Sequence, residues 1–376
     1  MSRIFDWFRN SNYPDYFLIG NICLLVLMGL LVLSSASSEK ALDFGSSYYF
    51  FVRQITMGLL PGLVGFLFGL YFNHQNWKKL ALPMLIVCIV MLILVFTPLA
   101  PQVNDIRSSH RWLGVGSFTF QPSELLKIFL IVYLAAWLSN TKMNRETNFR
   151  KGLLPLLVVC GVIGGLLLLQ PATSTVAIIF VAAFVVYFAS GAKLRFIGGL
   201  IGIGVLAVTV LVLVTPYRMK RLQSYFNPAA YTENYGYQVN QARIAIGSGG
   251  LWGVGYGKST LKASRLPEPM GDSIFAVAAQ ELGFAGGAFI LALFVTLTAR
   301  MFILARRLPN KDRFGRLVLI GFGTVIALQV FVHIGSISGI LPPTGVPLPF
   351  VSYGGTALAV FMTMGGIAAN ISRSAT

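Results

Sequence analysis

Negative charge is scarce in this chain. Asp and Glu number 12 against 29 Lys and Arg, and charged residues make up only 11% of the sequence. A soluble domain averages about a quarter charged residues, so an ordinary soluble fold is excluded. Cysteine and histidine are equally sparse. Cys23, Cys88 and Cys160 all lie inside apolar runs, which implies small core residues and no disulfide framework. His74, His110 and His333 are scattered without metal-ligand spacing. A cleavable signal peptide is also missing, since the first apolar run follows "RIFDWFRN" and is too long for a signal core, so it reads as an anchor. Nucleotide motifs fail on close reading. The stretch "IGSGGLWGVGYGKST", Ile246 to Thr260, ends in Gly257-Lys258-Ser259, but Trp252 stands where a phosphate-binding loop needs its first glycine. The dinucleotide pattern starting at Gly247 breaks at the same tryptophan. No nucleotide cofactor is expected.

What the chain does contain is apolar length. Runs such as "YFLIGNICLLVLMGLLVL" and "STVAIIFVAAFVVYFA" approach the ~20 residues needed to cross ~30 Å of hydrocarbon as a helix. About ten spans are expected, at 16–34, 50–71, 79–98, 122–138, 152–170, 174–190, 194–214, 273–299, 316–340 and 352–371. The fold class is therefore all-α, a polytopic membrane protein forming one domain over 1–376, with a large loop at about 215–271. Pairs of glycine four apart, at Gly58/Gly62, Gly65/Gly69, Gly161/Gly165, Gly198/Gly202 and Gly283/Gly287, predict close helix contacts within the chain. No internal repeat suggests a two-fold transporter core.

Loop cations give an orientation. Arg3, Arg9, Lys78, Lys79, Lys142, Arg145, Arg150, Lys151, Lys193, Arg195 and the run from Arg300 to Arg316 fall on one side, which the positive-inside rule makes cytoplasmic together with both termini. Lys40, Arg107 and Arg111 fall opposite, as does the long 215–271 loop. The formal net charge of +17 thus serves topology and contact with anionic lipid, and no nucleic acid is implied. The glycine-rich stretch faces the exterior, either as a tight backbone-rich turn whose glycines allow close chain packing or as a backbone surface that a ligand approaches.

With so few acids, elimination narrows the chemistry. Asp6, Asp15, Glu146 and Asp312 belong to the cytoplasmic side, and Glu39, Asp43, Asp105, Glu233, Glu268 and Asp272 to the outside. Glu124 and Glu281 sit in or at the ends of spans, where a charge is costly and points to a role. In "FQPSELLKIF", Pro122 suits the first helical position, Glu124 the N-terminal turn, and Lys127 lies three residues on along the same face. The two form either a structural pair or a site in which Lys127, or nearby Arg111, receives an anionic headgroup. Asp272, before an apolar helix in "RLPEPMGDSIFAVAAQELGF", can cap that helix. Beside Arg265 and Glu268 at the outer boundary, it can also act as a general base on a lipid-linked substrate. Gln280 and Glu281 lie two turns deeper, within hydrogen-bonding reach of the bundle. The segment "RMKRLQSYF" mixes cations and aromatics as an interfacial helix does.

Several segments together, "HRWLGVGSFTFQPSELLKIF", "YRMKRLQSYFNP", "GYQVNQARIAIGSGGLWGVGYGKS", "LPEPMGDSIFAVAAQELGFAGG" and "GILPPTGVPLPFVSYGGTA", resemble the SEDS family of shape, elongation, division and sporulation. The resemblance runs nearly end to end, and "SASS…SSYYFFVRQI" with "YRMKR" leans toward the division member. It implies a membrane glycosyltransferase that polymerises peptidoglycan from lipid II outside the cytoplasmic membrane. It also implies a class B penicillin-binding protein as transpeptidase partner, alongside other proteins of the division machinery. The family's catalytic aspartate matches Asp272, and its intramembrane pair matches Glu124 and Lys127.

Three positions depart from the family pattern. Gln170-Pro171-Ala172-Thr173 lacks the usual aspartate at 172, Met270-Gly271 replaces His-Thr, and Gln280-Glu281 replaces Glu-Glu. The implied chemistry is inverting transfer, with Asp272 taking the proton of the acceptor's 4-hydroxyl. The departing pyrophosphate is met by cations drawn from Arg111, Lys127, Arg218, Arg221 and Arg243, by a divalent ion such as Mg or Mn, or by both. Two alternatives use the same residues differently: a lipid II flippase in which Asp272 only caps a helix, and a scaffold that recruits partners through its spans.

Overall fold

The computed structural model describes residues 13–97, 111–115, 118–226, 235–264 and 266–375. Arg3, Asp6, Arg9, Asp105, Arg107, His110, Glu233 and Arg265 lie outside the described residues. Each expected apolar run forms a helix: α1 (Tyr16–Ala36), α2 (Tyr49–Tyr71), α3 (His74–Leu94), α4 (Pro122–Leu138), α5 (Phe149–Leu169), α6 (Thr173–Ala189) and α7 (Leu194–Val214). The long connection carries α8 (Pro216–Phe226) and α9 (Tyr235–Ser248), and α10 (Ile274–Arg307), α11 (Arg313–Ser338) and α12 (Gly355–Ser372) follow. Among the described residues, eight of these helices are long and apolar enough to cross a membrane. The helices α4 and α6 have 17 residues each, which at ~1.5 Å per residue gives about 25 Å. A short hairpin, β1 (Leu113–Val115) with β2 (Phe118–Phe120), precedes α4.

The interior is built by α4, α10, α11 and α12. Leu126, Ile128, Leu130, Ile131, Val132 and Leu134 bury α4 on all sides, which accounts for its uniformly apolar sequence. Against this core α1 packs on α10, α3 on α4, and α6 on α11. The glycines at 58, 62, 65 and 69 lie on the face of α2 that meets α12. A Cβ at Gly69 would press on the backbone of Gly366 and Ile367, so this pairing needs small residues. The expectation fails at Gly161, Gly165, Gly198 and Gly202, where a side chain would meet nothing within 4 Å. Those on α7 face outward, because that helix touches the bundle only lightly, through α8 and α6.

The glycine-rich stretch is not a simple external turn. Helix α10 breaks at Gly283, which adopts φ 70 and ψ −171. An unbroken helix would bond the amides of residues 284 and 285 to the carbonyls of 280 and 281. Instead the Phe284 amide donates to Gly250 O (2.8 Å) and that of Ala285 to Leu251 O (3.1 Å). The orphaned carbonyls of Gln280 and Glu281 accept from the amides of Val254 (3.0 Å) and Gly255 (3.2 Å). The loop backbone thus gives new partners to these four groups, as buried backbone polar groups require. Gly283 lies nine residues past Ile274, or about 13 Å along the axis. Residues 250–255 therefore lie beside the interior of α10 and not beyond its end.

Side chains secure the splice. Lys262 donates to Glu281 Oε1 (3.0 Å), Ser35 Oγ (2.8 Å) and Gly257 O (3.0 Å), and all three side chains are buried. Ser259 Oγ donates to Gln280 Oε1, and Gln280 Nε2 donates to Ser248 Oγ (3.0 Å). Gln280 and Glu281 therefore hydrogen-bond within the bundle as their sequence position predicted.

Candidate functional site

Asp272 ends a tight turn immediately before α10. The amides of Gly271 and Ser273 both donate to Glu268 O (3.1 and 3.2 Å), which folds Glu268 to Ser273 into a knot. Glu268 takes φ 45 to allow it. The turn is tied to the start of α12, where Ser352 Oγ donates to Gly271 O (2.8 Å) and the Tyr353 amide to Met270 O (2.9 Å). The helix cap falls on Ser273, whose hydroxyl turns back to Pro267 O (2.9 Å). Asp272 does not cap α10: among the described residues its half-buried carboxylate accepts no hydrogen bond. Burial pushes its pKa up from 3.8 to about 6, and the charge of Glu268 adds to the rise. The guanidinium groups of Arg221 and Arg111 pull the other way.

Those two arginines come from distant parts of the chain. Arg111, just before the hairpin, donates from Nε to Gln170 O (2.8 Å) and from Nη2 to Pro171 O (2.7 Å), at the corner between α5 and α6. Arg221 lies on α8, the helix that "RMKRLQSYF" forms. Its neighbour Arg218 donates to Thr173 Oγ1 (3.0 Å) at the start of α6 and to Thr215 Oγ1 (2.6 Å). Arg111 and Arg218 therefore grip backbone and hydroxyl on either side of Ala172, where the family pattern has an acid. Glu268 is exposed and pairs with Lys40 at 3.7 Å. Arg243 is exposed on α9 and rests against Gly339, at the carbonyl end of α11.

The intramembrane pair lies deeper. Lys127 Nζ donates to Glu124 Oε1 (2.7 Å), Glu124 Oε2 (2.8 Å) and Gln329 Oε1 (2.8 Å), with the ring of Phe361 5.2 Å away. Glu124, Lys127 and Gln329 are all buried. The ammonium's three donors are taken, so in this structure the pair ties α4 to α11 and presents nothing to a headgroup. The chemistry of the donor set also argues against a resident divalent ion. Among the described residues no three His, Cys, Asp or Glu side chains converge. Around Asp272 the charges are one carboxylate and two guanidiniums. Hard cations need clustered oxygen ligands, and these residues do not fit one.

Sequence reasoning missed two features of this region. The Gln329, His333 and Ser336 side chains all contact the segment Thr344–Pro347, and that segment abuts Asp272 through Gly345. The available signal was their spacing of four and three on one helix. The break at Gly283 looked like one more packing glycine.

Comparisons with known proteins agree with this architecture. The family model for FtsW, RodA and SpoVE, described as "Cell cycle protein", matches residues 16–376. Stage V sporulation protein E of Bacillus subtilis (strain 168) is 37% identical over 96% of this chain and 97% of its own length. A probable peptidoglycan glycosyltransferase FtsW of Nitrosomonas europaea is 36% identical over 92% of this chain and 89% of its own. A solved structure described as "Structural coordination of polymerization and crosslinking by a peptidoglycan synthase complex" superposes with a TM-score of 0.79 at 27% identity. That match covers 96% of this chain and 98% of the other.

Proposed function

Since the chain belongs to the FtsW/RodA/SpoVE family, we propose that Asp272 is the general base of its peptidoglycan glycosyltransferase reaction, with lipid II as substrate. The protein is a multi-pass membrane glycosyltransferase of the FtsW type, as the names of its relatives and their end-to-end match support. Those names do not favour the transporter alternative. The observation that carries the assignment of Asp272 is its carboxylate: half-buried, free of any capping bond, and facing two guanidiniums.

In the proposed reaction the 4-hydroxyl of the acceptor sugar attacks the anomeric carbon of the donor. Its proton passes to Asp272 as the new C–O bond forms and the bond to pyrophosphate breaks. Polyprenyl pyrophosphate departs with the bonding electrons. General-base help of this kind is worth about 10²–10⁴-fold. Arg111 and Arg221, which act on Asp272, and Arg218, on the same helix as Arg221, stabilise the developing pyrophosphate charge. Glu268 and Lys40 form the polar rim, Glu124 and Lys127 hold α4 in register, and Arg243 steadies α9 against α11. All ten apolar helices cross the membrane, with both termini in the cytoplasm and the Asp272 turn outside. The partner is a penicillin-binding transpeptidase of class B, consistent with the crosslinking complex that the fold matches.

The test is polymerisation of purified lipid II by the full chain with its transpeptidase partner. Asp272→Ala is expected to bind lipid II and form no polymer. Equal polymer from variant and wild type would remove Asp272 as the base.

A further inference from the structure

One face of α11 bears a row of polar side chains that the reaction above does not use directly. Gln329, His333 and Ser336 share that face by their spacing, and all three are buried. Each binds a successive point on the segment that follows the helix. Ser336 Oγ accepts from the Thr344 amide (3.0 Å), His333 Nδ1 donates to Val346 O (2.7 Å), and Gln329 Nε2 donates to Pro347 O (2.8 Å). Ser174 on α6 adds a bond to Thr344 O (3.2 Å), and Lys127 fixes the Gln329 amide from the other end.

The segment needs such help. "PPTGVPLP", residues 342–349, contains four prolines, which lack amide donors and build no ladder of their own. Its buried backbone polar groups depend on side chains. Gly345, at φ 68, is its point of contact with the site: a Cβ there would stand 3.2 Å from Asp272 Oδ2. The segment is thus the wall against which the carboxylate rests, and the α11 row holds that wall.

We propose that His333, with Gln329 and Ser336, forms a positioning rail that sets where the Asp272 carboxylate sits relative to the sugar hydroxyl. The inference rests on the reading of Asp272 as the base. His333 makes one hydrogen bond in the structure, through Nδ1, while its Nε2 is buried without a partner among the described residues. A single donor at that position is the requirement. Asparagine supplies it and leucine does not.

The test uses the full chain with its transpeptidase partner, lipid II as substrate, and thermal melting of every variant as a control for folding. His333→Leu is expected to lower kcat about tenfold or more, because ångström-scale misplacement of a reacting group costs up to about 10²-fold. KM should stay within about threefold, the range left to a variant that does not touch the sugar. The acidic limb of its pH profile should move, while the charges facing Asp272, those of Glu268, Arg221 and Arg111, are unchanged. His333→Asn is expected to restore kcat to within about threefold and return the limb to its place. Should His333→Leu fail to fold, Ser336→Ala, which removes only the acceptor for the Thr344 amide, should lower kcat with KM unaltered. Leucine and asparagine variants that are equally active, or equally impaired, would overturn the proposal, as would a Ser336→Ala enzyme of wild-type kcat. Polymer formed by Asp272→Ala at the wild-type rate would overturn both the base and the rail. An inactive Asp272→Ala beside indistinguishable His333 variants would overturn the rail alone.

Discussion

At the scale of single residues, the protonation state of Asp272 governs the chemistry. A base must be unprotonated, and burial with the nearby Glu268 charge has raised this carboxyl to about 6. The sign follows: below about pH 6 the folded enzyme holds the proton, so kcat/KM should fall roughly tenfold per pH unit, and above it a plateau should appear. Replacing Glu268 with Gln removes a raising charge and should move this limb to lower pH, as a pH–rate profile would show. Replacing Arg221 with Gln removes a lowering charge and should move it to higher pH. Asp272 was legible in the sequence because few acids exist and one stands at a predicted membrane boundary. Its freedom from capping was not legible, since Gly271-Asp272-Ser273 offers two residues that cap equally well and only the Glu268 knot assigns the role to Ser273.

At the scale of elements, the most demanding feature is the broken helix α10. Glu281 and Lys262 form a buried pair, and losing one partner of such a pair costs about 3–5 kcal/mol. Lys262→Met should therefore lower the thermal midpoint of the purified protein sharply, whereas Lys40→Met, which breaks only the exposed pair with Glu268, should leave it nearly unchanged. Gly283→Ala should be the more severe lesion. The left-handed backbone disfavours a side chain, and a Cβ would run into the backbone of Leu251, Trp252 and Gly253. It should eject the 250–255 loop and expose that segment to limited proteolysis; unchanged melting and proteolysis would contradict the splice. The helices themselves were legible because apolar length alone announces a span. The splice was not, because glycine in an apolar run has the same composition whether it allows helix contact, as at Gly69, or ends the helix, as at Gly283. The hairpin before α4 was missed for a related reason: "LGVGSFTF" is too short to show a strand period.

At the scale of the whole molecule, ion pairs divide the chain into two ends. Asp15 with Arg300 (2.5 Å) and Glu146 with Arg313 (3.2 Å) join residues that loop charge assigned to the cytoplasm, and Asp312, assigned there too, pairs with His74 (2.9 Å). Lys40 with Glu268 joins two that it assigned outside. Sequence bias and folded contacts agree on which residues share an end. In a background lacking the three native cysteines, Lys40→Cys should react with a membrane-impermeant thiol reagent on intact cells, and Arg306→Cys only after lysis. The reverse pattern would place the Asp272 turn inside the cell. The sequence could not show which distant segments meet behind the Asp272 turn. On the side of the Asp272 turn, buried contacts link distant segments: Lys127 to Gln329, Gln329 to Pro347, and the wall at Gly345 to Asp272.

The most direct single measurement is the initial rate of glycan polymerisation from lipid II, at a pH well above 6, by the full chain carrying Asp272→Asn beside the wild type. The amide keeps the shape of the carboxylate and cannot take a proton. A loss of about 10²-fold or more with lipid II still bound is the expected result. A rate within a few-fold of wild type would contradict the assignment of Asp272 as the base.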